Sequence, residues 1–372
     1  MLRVVLEGGP LTDGRAEAGI GRYVASLTTA LAEVAADEGL EVIIATPRRR
    51  SRTERRPLRW LRSQPSLLGA ALRRRAAMVH ALGGEPSPLW PPHRQVVTVH
   101  DVLGLTAELH HQGRAARTYA SVTAGLIRRC AAVVAVSDSV AAEIAELLSL
   151  DPSTVHVVGE GVSEQFSATV LADDGDRRHR AGAPGTPYVL WTGSLVAHDP
   201  RKALDTLVEA VAAVHARDRQ GGGEGVTLVL AGRDGAEARR VEALAADRGA
   251  QVVSTGFVTD ADLAALMRGA AVAVVPSLHE GFGLPALEAM ACGAPLVASR
   301  TGNLPTLVGD AALLVDPGDA ATLGDALAAV VAPGSDLAAR LRRLGPPRAA
   351  PYTWTGAARR LAAVYRAAAP RR

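Results

Sequence analysis

The sequence predicts an α/β protein built of two doubly wound, Rossmann-like domains in tandem. Three observations carry this expectation. Short β-branched runs alternate with amphipathic helical patterns along the 372 residues, a pattern that favours parallel sheets covered by helices on both faces. The alternation pauses once, over a polar stretch rich in Gly and Pro at residues 172–187, and then restarts. With 48% hydrophobic and 21% charged residues, the chain can bury two ordinary cores and is neither disordered nor fibrous.

In the first half, RVVLEG, EVIIAT, QVVTVHD, AAVVAVSD and STVHVVGEG read as strands, with helices over 20–37 and 138–148. The opening MLRVVLEGGP is a buried first strand, because its apolar run stops at Gly8-Gly9 without the flank and cleavage site of a signal peptide. Residues 172–187, ADDGDRRHRAGAPGTP, suit an exposed linker. Beyond it YVLWTG, VTLVLAG, QVVSTG, VAVVPS and APLVAS are strands, with helices over 203–217, 235–247, 260–269 and 285–292. The expected organisation is a first domain over 1–172, a linker over 173–187, a second domain over 188–350, and a C-terminal segment 351–372. Ligands are expected at the carboxyl ends of the strands. No run approaches the roughly 20 apolar residues of a membrane span. Cys130 and Cys292 lie far apart in apolar surroundings, as in a reduced, cytoplasmic chain.

The densest chemical signal is PSLHEGFGLPALEAMACGAPLVAS, residues 276–299. A strand ends at Pro276, and Glu280 enters a loop where Gly281 and Gly283 permit close backbone approach and unusual φ values. Pro285 suits the first turn of a helix, and Glu288 falls one turn further in. Backbone N–H groups and the helix's positive end, about half an elementary charge, then favour an anion such as phosphate in the loop. Carboxylates accept from hydroxyls better than they meet phosphates, so a molecule joining phosphates to ribose or sugar hydroxyls fits this pair best. A second signal is compositional. Of the 41 basic residues 40 are arginine, and the single lysine, Lys202, follows Arg201 in HDPRKALDTL. Chance survival on a solvated helix start is the plainer explanation of that lysine.

EGFGLPALEAMACGAPLV resembles the signature of the retaining GT-B glycosyltransferases of family 4 (group 1). AGIGRYVASL, VVTVHDV, VVAVSDSVAAEIAELL, YVLWTGSL with RKALDTLVEA, GDAALLVDPGD and YTWTGAARRLAAVYR extend the resemblance over most of the chain. It implies a GT-B fold, two Rossmann-like domains facing a central cleft, and a C-terminal helix around Trp354 to Ala369 that crosses back to the first domain. The implied enzyme is a retaining, metal-independent hexosyltransferase without a cofactor. Glu280 would contact the transferred sugar and Glu288 the ribose hydroxyls, with Gly193, Gly281, Phe282, Gly283 and Leu284 around the donor. Arg201 and Lys202 match the pair that neutralises the departing nucleoside diphosphate, and a site shaped for lysine's compact charge does not readily accept arginine's planar fork. Gly21 would face the donor phosphate, His100 the donor sugar, and Asp101 and Tyr23 the acceptor. Overall similarity to bacterial mannosyltransferases with an IGRY loop implies mannose from GDP-mannose, moved to a saccharide or lipid-linked acceptor; a UDP-sugar is the rival donor. The alternative of a different class is a non-transferring GT-B relative, an epimerase or a sugar-nucleotide-binding protein. With Glu280 and Glu288 both engaged on hydroxyls, front-face transfer is favoured over a covalent double displacement. The chain departs from the family pattern in the extra residues AHD at 197–199, in Ala203 and Thr306 where relatives often carry asparagine and glutamate, and in Glu160.

Other motifs yield less. AGIGRY supplies Gly19 and Gly21 of a dinucleotide fingerprint but lacks its third glycine and lies too far beyond the strand. DAD at 260–262 mimics a metal-binding acidic pair, yet it opens a helix, so capping by Asp260 is expected and no metal site. Cys292 is expected to pack as a small core residue. Between Pro47 and Arg75, eleven arginines stand against one glutamate, a local balance of +10 in a chain of net +3. Trp60, Leu61, Leu67, Leu68 and Leu72 interleave with them, as in a surface helix on anionic lipid headgroups. Segment 48–75 is therefore expected to give peripheral contact with the inner face of the plasma membrane, a solvated arginine-rich loop being the blander reading. Without a recognised fold or stacking platform there, nucleic acid is not an expected partner.

Overall fold

The structure, a computed structural model, describes residues 1–12, 19–46, 56–109 and 113–370; the side chains of 56–59, 62, 108 and 109 lie outside the description. The chain divides into two compact units, Met1–Gly161 with Tyr352–Arg372, and Val162–Pro351.

Unit 1 holds a six-stranded sheet of β1 (Leu2–Glu7), β2 (Leu40–Ala45), β3 (Met78–Ala81), β4 (Gln95–Val99), β5 (Ala132–Ala135) and β6 (Val155–Val157) in the order β2-β1-β3-β4-β5-β6. Unit 2 holds β7 (Tyr188–Thr192), β8 (Thr227–Ala231), β9 (Gln251–Gly256), β10 (Val272–Val275), β11 (Leu296–Ser299) and β12 (Leu313–Val315) in the order β12-β11-β10-β7-β8-β9. All pairings are parallel. Counted within unit 2, the order β9-β8-β7-β10-β11-β12 is the doubly wound 3-2-1-4-5-6 arrangement, whose direction reverses between β7 and β10. Val189, Trp191, Leu228, Val274 and Val297 of this sheet are buried against Leu207, Val211 and Leu327.

Two strands escape the sequence reading. The whole of β3 is buried and only four residues long, directly after the arginine-rich stretch, and β12 has three residues. The arginine-rich stretch itself forms a helix, Arg56–Arg73, while residues 47–55 lie outside the described residues. Two residues of its expected lipid face, Trp60 and Leu67, are corrected. Trp60 is buried, donates its Nε1–H to the Pro86 carbonyl at 2.9 Å and packs edge-on against Tyr119. Leu67 belongs to a cluster with Val5, Val79 and Trp90, so of the five apolar residues expected on that face Leu61 and Leu72 are the largely exposed ones. Among the described residues no helix is long and apolar enough to cross a membrane.

The expected linker at 173–187 is also corrected. Residues Asp174–Arg180 form a helix of unit 2 packed on helix Asp260–Gly269. Arg268 donates to both oxygens of Asp174 at 2.7 and 2.6 Å, with both side chains under 5% exposed (4% and 3%). Those hydrogen bonds outweigh burial and hold the Asp174 carboxyl below its ordinary range. Thr259, not Asp260, caps helix Asp260–Gly269, because its hydroxyl accepts from the Asp262 N–H.

In unit 1 the C-terminal helix Trp354–Ala368 packs on helix Gly19–Val34. A buried polar chain fixes it to the sheet: His80 Nδ1 lies 2.6 Å from the Tyr365 hydroxyl, and His80 Nε2 lies 2.9 Å from the Thr98 hydroxyl. Burial, together with the nearby His100 ring, pushes the His80 pKa down to about 3. The unfolded chain therefore takes up a proton near pH 6.5 that the folded chain refuses. The stabilising contribution is complete above about pH 6.5 and falls by roughly 1.4 kcal/mol per pH unit below it, until the folded value is reached. Urea unfolding across that range is expected to show this slope, and His80→Gln to flatten it; an equal slope in the variant would refute the assignment.

Candidate functional site

The reversal of strand order sends the chains after β7 and β10 to one edge of the unit 2 sheet. After β7 the backbone must pass very close to β8: a Cβ on Gly193 would lie 2.6 Å from the Trp191 ring, and one on Gly232 would lie 1.7 Å from the Gly193 carbonyl oxygen. The chain then makes a 3-10 turn, Pro200–Lys202, capped by Asp199. Ala203 follows in the left-handed region (φ 49°, ψ 40°), a conformation that asparagine tolerates better, and helix Leu204–Gln220 begins.

After β10 the loop reaches the same place. The Leu278 N–H donates to the Arg201 carbonyl at 2.7 Å. Lys202 Nζ donates to Glu280 Oε2 at 3.1 Å, and the Ser277 hydroxyl donates to the same oxygen at 3.0 Å. The pair is partly shielded, with the lysine side chain 31% and the glutamate 15% exposed. Residues 301–303 fix the loop from behind. The Asn303 N–H donates to the Glu280 carbonyl at 3.2 Å, and its side-chain amide donates to the Phe282 carbonyl at 2.9 Å. Gly283 (φ 104°) starts helix Leu284–Ala291, with Pro285 in the first turn, where its missing N–H costs nothing. Glu288 is buried one turn in. Burial, opposed by Arg268 and reinforced by Glu288, pushes the neighbouring Cys292 thiol up to about 12, so it stays protonated.

The structure therefore brings Lys202 and Glu280 together, with the Gly281-Phe282-Gly283-Leu284 turn directly following Glu280. Beside them the Arg201 guanidinium donates from Nε and Nη2 to the two oxygens of Asp199 at 2.9 and 2.8 Å. Arg348 grips the following turn, donating to the carbonyls of Leu307 (2.8 Å) and Thr306. Sequence reasoning missed Ser277, Asn303 and Asp199. Of these, only Asp199 carried a signal, as part of the extra AHD residues.

Unit 1 places its predicted residues differently. Gly21 lies in the first turn of helix Gly19–Val34 rather than in a loop. Tyr23 is buried at 1% exposure, its hydroxyl 3.4 Å from that of Thr98, and its ring stands edge-on to His100 at 4.7 Å. It backs the histidine rather than facing solvent. His100 Nε2 lies 2.8 Å from the Leu82 carbonyl, which can only accept, so this nitrogen carries a proton. The Asp101 carboxylate accepts from the Gly104 N–H at 3.3 Å and caps the following helix, Leu103–Leu109.

Comparison with known proteins fits this geometry. The family model Glycosyltransferase Family 4 matches residues 18–166, and Glycosyl transferases group 1 matches residues 186–333. D-inositol 3-phosphate glycosyltransferase 2 of Catenulispora acidiphila is 36% identical over 63% of this chain and 55% of its own length. The MMP alpha-(1->4)-mannosyltransferase of Mycolicibacterium hassiacum is 35% identical over 66% and 56%, and the serotype-specific mannosyltransferase WbdA of Escherichia coli 31% identical over 61% and 28%. The chain thus spans about half the length, or less, of these relatives. In fold it superposes on sucrose-phosphate synthase from Thermosynechococcus elongatus (TM-score 0.76, 24% identity, 98% of each chain). It also superposes on WaaG, a glycosyltransferase involved in lipopolysaccharide biosynthesis (TM-score 0.74, 17% identity, 96% and 98%). The two parallel six-stranded sheets are those of a GT-B fold.

Gly302 offers a direct check on the loop. Its φ is +51°, and a Cβ would lie 2.2 Å from the Glu280 carbonyl oxygen. Gly302→Ala is expected to push the Glu280 loop aside and to lower the stability of unit 2 by about 1–3 kcal/mol in urea unfolding. Wild-type stability in that variant would mean that the 302 turn does not brace the loop.

Proposed function

We propose that this chain, which carries a family 4 glycosyltransferase domain followed by a group 1 glycosyltransferase domain, moves a hexose from a nucleotide-sugar to a saccharide or lipid-linked acceptor. Mannose from GDP-mannose is the favoured donor, since two of the relatives above are named mannosyltransferases. The observation that carries the reading is the Lys202–Glu280 pair at the strand-order reversal of unit 2. A fixed cation and a fixed hydroxyl acceptor stand side by side there, as a molecule with a pyrophosphate next to a sugar requires.

In the proposed reaction the bond between the sugar's anomeric carbon and the diphosphate oxygen breaks while a bond to the acceptor oxygen forms on the same face. The acceptor's proton passes to the departing phosphate. Glu280 uses Oε2 for Lys202 and Ser277, which leaves its geometry suited to aligning sugar hydroxyls rather than to attack. Glu288 is buried on its helix and is assigned the ribose hydroxyls. This division of roles supports retention through front-face transfer rather than through a glycosyl-enzyme. Lys202, with Arg201 beside it, neutralises the growing charge in place of a metal ion, and such preorganised charge is among the larger contributions to catalysis.

The test combines binding with turnover. A thermal-shift series with GDP- and UDP-sugars is expected to give the largest stabilisation with GDP-mannose, since a ligand selective for the folded state raises stability by mass action. Lys202→Ala is expected to lower kcat by about 10²–10³-fold, and added EDTA to leave the wild-type rate unchanged. A shift with UDP-sugars alone would replace the donor. Stabilisation by no nucleotide-sugar would overturn the reading, and nucleoside diphosphate release without an acceptor would favour hydrolysis over transfer.

A further inference from the structure

The Glu280 carboxylate is held by two donors of different character, and both use the same oxygen. Ser277 lies just beyond the end of β10, is 1% exposed, and donates its hydroxyl to Oε2 at 3.0 Å. Lys202 reaches Oε2 at 3.1 Å from another segment, on a longer side chain that is 31% exposed. Oε1 takes no partner among the described residues. The main chain around the carboxylate is fixed separately: the Thr301 hydroxyl donates to the Leu278 carbonyl at 2.9 Å, and the Asn303 N–H to the Glu280 carbonyl at 3.2 Å. What these contacts leave undecided is the direction of the glutamate side chain, which turns about several bonds. Serine turns about one, and its backbone leaves a buried strand. Of the two donors, Ser277 is therefore the better anchored.

We propose that Ser277 is the positioning residue for Glu280: it fixes the carboxylate through Oε2, leaving Oε1 to a ligand, and it does so independently of Lys202. This rests on the reading of the Lys202–Glu280 pair as a donor site, in which a diphosphate takes Lys202 and a sugar takes Glu280. The ion pair cannot persist unchanged through such binding, because an ammonium drawn to phosphate oxygens gives up at least part of its hold on Oε2. With Lys202 as sole anchor, the carboxylate would be released just when its direction mattered. The Ser277 hydroxyl is not drawn away in the same manner. It is a neutral donor with far less attraction for phosphate than an ammonium has, and its bond to a carboxylate is of the stronger, charge-assisted kind. Burial also keeps water from taking its place. The shared oxygen is informative here. Donors on separate oxygens would engage both, whereas two donors on Oε2 leave Oε1 for hydroxyls whether or not Lys202 stays.

Ligand-free crystal structures and calorimetry test this together. In Lys202→Ala, Glu280 is expected to keep Oε2 on the Ser277 hydroxyl. Affinities for GDP and GDP-mannose, or for the UDP pair if the wild type prefers it, separate the phosphate contribution from that of the sugar. Ser277→Ala is expected to leave the Kd for the bare nucleotide within about twofold, to weaken the nucleotide-sugar about tenfold, and to cause no further loss in a Glu280→Ala background, since a residue that acts only through another is fully coupled to it. A merely structural loss would instead weaken both ligands and persist in that background. A carboxylate that leaves Ser277 in Lys202→Ala, or losses that add in the double variant, overturns the proposal. If the wild type binds neither GDP- nor UDP-sugars, the donor reading fails and this one falls with it. If it binds them and Ser277→Ala keeps the wild-type affinity for the nucleotide-sugar, the donor reading stands and only the role of Ser277 is lost.

Discussion

One main-chain hydrogen bond, from the Leu278 N–H to the Arg201 carbonyl, joins the segment after β7 to the segment after β10. Its existence follows from topology. In a doubly wound sheet, neighbouring parallel strands leave their loops at the same edge, and where the strand order reverses those loops diverge around a crevice. In unit 2 that point lies between β7 and β10. The bond sets the Pro200–Lys202 turn against the Glu280 loop, and the Lys202–Glu280 pair then forms from side chains whose backbones are already placed. Without the register between β7 and β10, in which Val189 pairs with Val272 and Leu190 with Ala273, an ammonium and a carboxylate 78 residues apart would have no reason to meet.

The pair adds little to stability. A partly exposed ion pair of this kind contributes about 0–1 kcal/mol, less than one well-buried leucine. Its surroundings are nevertheless costly in specification. Gly302 must be glycine to pass the Glu280 carbonyl, Gly232 must be glycine to pass Gly193, and Asn303 is buried to hold two carbonyls of the loop. So much constraint around a weak interaction is understandable when the arrangement serves geometry. On the proposed reading, a cation and a carboxylate held by weak mutual attraction would exchange partners with an incoming diphosphate and sugar at small cost, while the glycine-packed backbone keeps both in place.

Much of this was legible in the sequence, and the failures share a cause. Strands with flanking turn signals were found because alternation is local, and EGFGLPALE was informative because glycine and proline report backbone geometry directly. The segment 173–187 was misjudged as a linker because its composition is polar, whereas its structure comes from the contact of Asp174 with Arg268, 94 residues away. Trp60 and Leu67 were assigned to a lipid-facing stripe because a helix's apolar face looks the same whether it meets lipid or its own sheet. Capping moved by one residue, to Thr259, since threonine and aspartate both satisfy the rule. In the site, Lys202 and Glu280 were visible as chemistry, but the divergence of Arg201 from its neighbour was not. Adjacent residues on a 3-10 turn point in different directions, and only the coordinates show which one Asp199 takes.

The lone lysine follows from this divergence. Glu280 Oε2 already accepts from the Ser277 hydroxyl, so the cation that joins it must approach a shared oxygen from one side. An ammonium does this as a point charge with three rotatable donors, whereas a guanidinium gains most from gripping two oxygens in one plane. At the preceding residue the opposite holds: Asp199 offers both oxygens and is met by Arg201 through two bonds. The turn thus carries one cation of each kind, and each stands opposite the carboxylate geometry it suits. In a chain whose other basic residues are all arginine, the position of Lys202 marks where a forked cation does not fit.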